Sequence, residues 1–466
     1  MKIFHTADLH IGMKFNNYPE PVRSQLKQAR GDVLGKMVSI ANKQECNIFV
    51  VAGDLFDSIN GNTKKSIGEV VTALKGFHGE CVLVMPGNHD YDNNMVELWN
   101  NFQELSQDIN NIVFINQERP YSLADWDLNA VVYPAPCHSK HSDVNNTGWI
   151  KEEMIKEANS KAKADSENPE ANSNVNINTD AKIDTDTNIN TDPIRIGISH
   201  GALEGISPDL DSSYYNMSLA ELEAAPVDVW LLGHTHITYP DKKKVNGWKI
   251  FNPGTPEPDG LDCKHTGNAW IITIGDTKAV NSDTKTENSD TKTENSGTKA
   301  EINDIKAANS DTKATNRMHK EVSGELITTG SYRFKDQRYT VRNKADFEKI
   351  MGDLLKGDIP KNDLLNGDIL KDDLINGDPR FTIARLRIKG KLDEEAFNYR
   401  HEVRRTLEEA MACLIFDDSE LGIKITSEMI HKEFSDGSFP SMLLSALTDD
   451  EEALQLAYEM IMEVKR

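Results

Sequence analysis

Five short polar clusters constrain this chain more than anything else in its sequence. Each closes an apolar run. Asp8-Leu9-His10 follows Lys2–Thr6, Gly53-Asp54-Leu55-Phe56-Asp57 follows Asn47–Ala52, and Gly87-Asn88-His89-Asp90 follows Cys81–Met85. Ser199-His200-Gly201 ends the run Arg195–Ser199, and Gly233-His234-Thr235-His236 follows Asp228–Leu232. Further apolar runs lie at Ile112–Ile115, Asn129–Tyr133 and Ala269–Ile274. Between the runs, apolar residues recur at helical spacing: Leu26, Val33, Met37, Ile40 and Ala41, then Val70, Val71 and Leu74, then Val96, Trp99, Phe102 and Leu105. Strands alternating with helices predict a layered α/β domain. In such folds, groups just past the carboxyl ends of strands converge on one crevice. In extended chain, Asp8 and His10 point to the same side, and so do His234 and His236. The glycines at 53, 87, 201 and 233 allow a sharp bend from strand into loop.

A lone Asp-Leu-His or His-Thr-His is usually a turn or a satisfied polar group. Five such pieces, each after an apolar run, point to a metal site. Carboxylate, imidazole and amide donors without a thiolate suit Mn²⁺, and are compatible with Fe or Zn.

The ordered set D-x-H, G-D-x-x-D, G-N-H-D, a single H and G-H-x-H resembles the calcineurin-like metallophosphoesterase superfamily over roughly residues 1–275. That resemblance implies an α/β (α+β four-layer) fold: two packed β-sheets flanked by helices around a binuclear centre. It places Asp8, His10 and His236 on one divalent ion and Asn88, His200 and His234 on the other, with Asp54 bridging both. Two ions about 3.5–4 Å apart would hold a hydroxide and clamp phosphate oxygens during in-line displacement. His89, beside Asn88, would stabilise developing charge or protonate the leaving oxygen, a role worth about 10²–10⁴ in rate. Asp90 would hold the His89 ring, or else serve as a turn-forming residue.

Finer resemblance narrows the substrate. His5-Thr6-Ala7-Asp8-Leu9-His10-Ile11-Gly12 and Asn252-Pro253-Gly254-Thr255-Pro256-Glu257 are similar to SbcD-type DNA repair exonucleases. Phe434-Ser435-Asp436-Gly437-Ser438-Phe439-Pro440 and the acidic helix after it resemble the YhaO-type branch. The resemblance implies a nuclease acting on DNA, with a cap domain that contacts DNA and helices beyond it that dock an SMC-like (SbcC-type) ATPase. A homodimer is also compatible. The alternatives are a phosphatase or small-molecule phosphodiesterase of the same fold, and a non-catalytic DNA-end-binding scaffold. Asp57 stands where some family nucleases carry a histidine, so that histidine's role does not transfer.

Basic residues are the candidate DNA contacts. Lys242, Lys243 and Lys244 follow the last motif and either meet phosphates or form a solvated turn. Arg333, Lys335, Arg338 and Arg342 lie on a first cap strand; Arg385, Arg387, Lys389 and Lys391 lie at period two on a second. One strand face would carry such a stripe, either along a phosphate backbone or simply in solvent. Tyr399, Val403, Leu407, Ala410 and Met411 form an apolar helical stripe, read as core or as a docking face. His5 reads as a packed residue, and His78, His138, His141 and His265 as surface residues.

The organisation read from sequence is a metallophosphoesterase domain at 1–275 with a low-complexity insertion at 165–192, a disordered heptad-repeat linker at 276–316, a cap-like α+β domain at 317–400 with a ten-residue repeat at 354–378, and a helical region at 401–466. The heptads place Thr, Ser and Asn where a coiled coil needs apolar residues. The net charge of −23 excludes a simple basic DNA-coating protein, although the three low-complexity stretches carry nearly half of it. Five cysteines without a CxxC pair fit a reduced, cytoplasmic setting. The opening residues do not read as a signal peptide, and no apolar run reaches the ~18 residues of a membrane span.

Overall fold

Strand β1 (Lys2–Thr6), β2 (Ile48–Ala52) and β3 (Cys81–Met85) are nearly continuous apolar runs because both of their faces are buried. In the computed structural model, which describes residues 1–167, 192–208, 213–276, 320–355 and 378–465, they pair in parallel with one another and with β4 (Ile112–Phe114). Phe4, Phe49, Val51, Val82 and Val84 face outward onto α1 (Val22–Lys43), α2 (Lys64–Lys75) and α3 (Glu97–Ser106). Ile3, Ile48, Val50, Cys81 and Leu83 face the other way, into the core between two sheets. The period of two in the sequence thus divides each strand between two hydrophobic layers. Thr63 opens α2 by accepting the Ser66 N–H, with Ser66 Oγ accepting the Thr63 N–H in return, a reciprocal cap.

The second sheet joins β5 (Tyr121–Ser122), β6 (Ala130–Ala135), β7 (Ile194–His200), β8 (Val229–Gly233) and β10 (Ile250–Phe251) in the order β10-β8-β7-β6-β5. Its outer face, with Tyr133, Trp230 and Leu232, packs on α4 (Gly148–Glu167) and α5 (Leu219–Ala224) through Ile150, Met154 and Leu222. Helices, sheet, sheet and helices form the four expected layers.

The first sheet continues past the expected domain end. β11 (Asn268–Asp276) lies antiparallel to β1, and β12 (Lys320–Thr328) lies antiparallel to β11 along its whole length, followed by β9 (Lys244–Asn246). β12, placed with the cap in the sequence reading, therefore belongs to the first body. The stretch 276–316 lies between two neighbouring strands of one sheet. That heptad segment, the insertion at 165–192 and the repeat at 354–378 fall almost wholly outside the described residues.

The cap is a parallel three-stranded sheet, β13 (Arg333–Thr340), β14 (Thr382–Leu392) and β15 (Cys413–Ile423), crossed by α6 (Lys344–Leu355) and α7 (Glu394–Ala410). Asp393 caps α7 by accepting the Ala396 N–H, with Glu394 and Glu395 in the first turn. Val403, Leu407 and Met411 are buried against Leu386 and Ile388, so the apolar stripe of α7 is core. The sequence reading missed β15, whose half-buried residues lack a clean alternation. Phe15, Val22 and Leu26 of the first body meet Tyr332, Phe334 and Ile383 of the cap. The chain ends in α8 (Ser427–Glu433), α9 (Phe439–Ala446) and α10 (Glu451–Lys465), packed around Ile430, Phe434 and Leu444. Among the described residues, no helix is long and apolar enough to cross a membrane.

Candidate metal centre

The carboxyl ends of β1, β2, β3, β7 and β8 come together at one edge of the two sheets, and all five sequence clusters meet there. Asp8, His10, Asp54, Asn88 and His200 are buried, while His234 and His236 are half-buried. Asp54, Asn88, His234 and His236 line a cleft of about 830 Å³ whose wall also includes His89, Tyr214, Asp241, Asp259, Asp262, Lys264 and His265, and Asp8, His10 and His200 lie behind them.

Local backbone geometry is unusual here. Asp8, His10, Asp54, His234 and His236 all have positive φ, at 57°, 47°, 51°, 95° and 50°. Left-handed backbone at a non-glycine residue costs on the order of 1–3 kcal/mol and is kept where surrounding contacts impose it. Those contacts are visible. The Asp8 N–H donates to Gly53 O, His10 N–H to Asp54 O and Ile11 N–H to Leu55 O, tying the first loop to the second. The buried Arg30 guanidinium donates to Leu9 O and Glu257 O, both at 2.7 Å, and Thr255 Oγ1 donates to Asp8 O at 2.9 Å. Gly53 and Gly87 are required for space: a Cβ on Gly53 would lie 2.1 Å from His200 Nδ1, and one on Gly87 2.2 Å from Asp54 Oδ1.

The donor atoms crowd together. His10 Nε2 lies 3.0 Å from His236 Nε2 and 3.6 Å from Asp54 Oδ2. His236 Nε2 is 3.5 Å from Asp8 Oδ1. Asn88 Oδ1 lies 3.1 Å from His200 Nε2 and 3.0 Å from His234 Nδ1, and His200 Nε2 is 3.4 Å from Asp54 Oδ2. His200 Nδ1 donates to Ala52 O at 2.8 Å, which turns Nε2 toward the cluster. The His234 N–H donates to the Asp8 carboxylate at 2.9 Å, and the His89 N–H to Asp54 Oδ1 at 2.8 Å.

Electrostatically this pocket needs positive charge. Burial opposes ionised Asp54, yet His200 and His10 outweigh it and hold the carboxyl well below its usual range. Burial also opposes a charged His200, but the Asp54 and Asp8 carboxylates raise that imidazole to about 9. For His10 burial prevails and lowers it to about 3. Three overlapping sets place donor atoms within 4.8 Å of one another: Asp8, His10 and His236; His10, Asp54 and His89; Asp8, Asp54 and His200. The donors are those of divalent-cation sites, and buried His10 Nδ1 makes no hydrogen bond. These residues fit a binuclear divalent centre.

Calcineurin-like phosphoesterase is the description of the family whose model matches residues 1–238. The chain belongs to that family. This calcineurin-like phosphoesterase is 33% identical over 92 residues to the SbcD subunit of nuclease SbcCD from Bacillus subtilis (strain 168), covering 19% of this chain and 22% of the relative. It is 23% identical over 245 residues to the uncharacterized metallophosphoesterase YhaO of the same strain, covering 51% of this chain and 48% of the relative. The chain thus spans less than half the length of each of these relatives. The crystal structure of TT1561 from Thermus thermophilus is matched over 54% of this chain and 88% of its own, at 12% identity and a TM-score of 0.29.

Not every expected residue lies as the sequence suggests. Asp90 does not hold His89. Its buried carboxylate accepts the Gly87 N–H at 2.7 Å and the Phe56 N–H at 3.0 Å, bracing two loops, while His89 Nδ1 faces Asp57 O at 3.0 Å. His265, expected at the surface, lines the cleft and donates from Nε2 to His236 O at 3.0 Å. His5 is fully buried in the first strand, as a packed residue should be.

The basic stripe is also different. Register pairs Lys335 with Ala384 and Asp336 with Arg385, so Arg333 and Lys335 lie on the opposite face from Arg385 and Arg387. Arg333 is itself buried. Asp336 takes Arg385 at 2.5 Å and Arg387 at 2.6 Å, and Lys391 pairs with Glu459. One cross-strand acid thus offsets part of the charge of Arg385 and Arg387, and Glu459 of α10 offsets Lys391. Among the lysines after the last motif, Lys242 lies over the Trp248 ring and Lys244 pairs with Glu325 at 2.9 Å, while Lys243 is exposed.

Two further residues at the site went unmarked in the sequence reading: Arg30, hidden in the apolar pattern of α1, and Asp259, which accepts from His236 Nδ1 at 2.6 Å. Asp259 lies two residues after the Asn252–Glu257 loop singled out for its resemblance, the one signal that could have drawn attention to it.

Proposed function

We propose that this phosphoesterase is a two-metal phosphodiesterase acting on DNA, with Asp8, His10, Asp54 and His236 holding one divalent ion, and Asp54, Asn88, His200 and His234 the other. The observation that carries it is the convergence of all seven side chains in one cluster at the base of the cleft. Ions held there supply Lewis-acid activation of water and of the phosphoryl oxygens. The protein's own part is to place His89 at the cleft wall with Nδ1–H donating to Asp57 O, so that Nε2 would stabilise charge on the leaving oxygen and, in the doubly protonated imidazolium, would donate the proton that oxygen takes up. DNA as substrate, and a partner ATPase, are supported by the relatives from nuclease SbcCD and by an added cap and helical tail. On α10, Leu456, Met460 and Val464 are exposed at i, i+4, i+8 spacing, an apolar edge suited to a docked partner.

A second reading, a phosphatase or small-molecule phosphodiesterase, is favoured by the cleft itself. Asp241, Asp259 and Asp262 outnumber Lys264 in its wall, and the cap's Arg385 and Arg387 share the Asp336 carboxylate. Such a mouth suits a small substrate of low charge.

One assay separates the two. End-labelled linear DNA, bis(p-nitrophenyl) phosphate and p-nitrophenyl phosphate are compared with Mn²⁺ present. A nuclease degrades the DNA and prefers the diester; a phosphatase prefers the monoester and leaves DNA intact. Asp54→Ala abolishes turnover and His89→Ala lowers it by about 10²–10⁴. Undiminished cleavage in both variants would refute the site.

A further inference from the structure

His236 sits at the solvent-facing rim of the cluster. Its side chain is 30% exposed while Asp8 is fully buried and His10 nearly so, and its backbone is left-handed with φ 50°. An imidazole at a solvent-facing rim can rotate away from its neighbours unless its second nitrogen is held. In His200 that is done by a carbonyl, Ala52 O. In His236 the partner is a carboxylate, with Nδ1 and Asp259 Oδ2 2.6 Å apart.

Asp259 uses its carboxylate differently from its neighbours. Asp90 and Glu257 each accept two backbone N–H groups and so brace loops. Among the described residues, Asp259 is hydrogen-bonded only to the His236 ring. Its own side chain is only 18% exposed, in the wall of the cleft. A partly buried carboxylate with no structural N–H to satisfy and one imidazole to hold is arranged to orient that imidazole.

Building on the metal-centre reading above, we propose that Asp259 is a positioning residue that fixes His236 with Nδ1–H toward the carboxylate and Nε2 toward Asp8 and His10, so that it sets the affinity of one of the two metal positions and not of the other. Asp259 donates nothing to the ion. It acts through the tautomer and angle of His236, and through the basicity that a carboxylate partner confers on a ligating imidazole.

The test is a calorimetric titration of the metal-free full chain with Mn²⁺ alone, with thermal melts in chelator alongside. The original chain takes up two ions in separable steps. Asp259→Ala weakens one step by about 10–100-fold and leaves the other and the chelated melting temperature in place. Asp259→Asn keeps an acceptor oxygen without the charge and gives an intermediate loss. Two unchanged steps in Asp259→Ala would overturn the proposal. So would equal weakening of both steps with a lower chelated melting temperature, since that describes a residue of the fold. Should Asp259→Ala not fold, the near-isosteric Asp259→Asn decides by the same criteria. An original chain that takes up no Mn²⁺ would instead refute the metal centre itself.

Discussion

At the scale of single residues, the site combines strain with a shortage of positive charge. Five left-handed residues and four glycines, Gly53, Gly87, Gly201 and Gly233, with no room for a Cβ mean that its geometry is imposed by its surroundings. Gly87→Ala would drive a methyl into Asp54. We expect that variant to lose Mn²⁺ binding at equilibrium dialysis while retaining most of its far-UV signal. Protonation gives a second expectation. Burial and Asp54 raise Asp90 to about 7, and the surrounding carboxylates, against burial, raise His200 to about 9. Both folded values lie above the ordinary ones of 3.8 and 6.5, so protons stabilise the metal-free fold. That contribution is complete below the ordinary values and disappears as pH rises through about 7 for Asp90 and about 9 for His200. His10, lowered to about 3, acts in the opposite sense below its ordinary 6.5, so in chelator the melting temperature should fall between about pH 6.5 and about 9, and Mn²⁺ should flatten the slope because it replaces the protons. A flat profile in chelator would contradict the anionic character of the pocket.

At the scale of elements, the loop after β10 is the joint between site and cap. Glu257 is fully buried, and its carboxylate accepts the Ser331 and Tyr332 N–H groups at 2.8 Å, at the entrance to β13. Its own carbonyl accepts from Arg30, which also holds the Leu9 carbonyl between Asp8 and His10. Glu257→Ala strands two N–H groups at about 1–3 kcal/mol each. Denaturant melts should register that loss, and proteolysis should begin between the first body and the cap. Trp99 plays the same part for α3: it packs on Phe56, Phe102 and Phe114, and its indole N–H donates to Asp90 O. Trp99→Ala should cost about 3–5 kcal/mol in the same melts.

For the whole molecule, the decisive fact is that β12 lies inside the first sheet, between β11 and β9. Asp276 and Lys320 are register partners at adjacent strand ends. Replacing residues 277–319 by an Asn-Gly turn should therefore leave stability and Mn²⁺ uptake intact, since a two-residue turn suffices for antiparallel neighbours. A chain cut after residue 275 would instead bare the edge of β11 along its length and lose the packing of Val322 and Leu326, and should aggregate on size-exclusion chromatography. The overall charge of −23 is compatible with a phosphoester substrate because ions at the centre reverse the sign where the chemistry takes place.

The longer strands of the first body, its helices α1 to α3 and the five polar clusters at its centre were legible in the sequence because each rests on a local pattern: a period of two or of 3.6, and a polar cluster closing an apolar run. Which seven side chains of those clusters belong together came from the family resemblance, and the short strands β5, β9 and β10 and helices α4 and α5 carried no such pattern. Only the tertiary structure decided the rest. β12 reads as cap until its pairing with β11 is seen, since nothing in nine residues names their neighbour across a long insertion. The stripe of Arg385 and Arg387 reads as free positive charge until register sets Asp336 beside it. Arg30 and Asp259 are ordinary polar residues in sequence, and the motif marks Asp90 and Asp57 without giving their partners; what each does follows from which atom of another loop lies within hydrogen-bonding reach. Local periodicity encodes which elements form, whereas long-range register and side-chain contacts depend on the packing of all of them together.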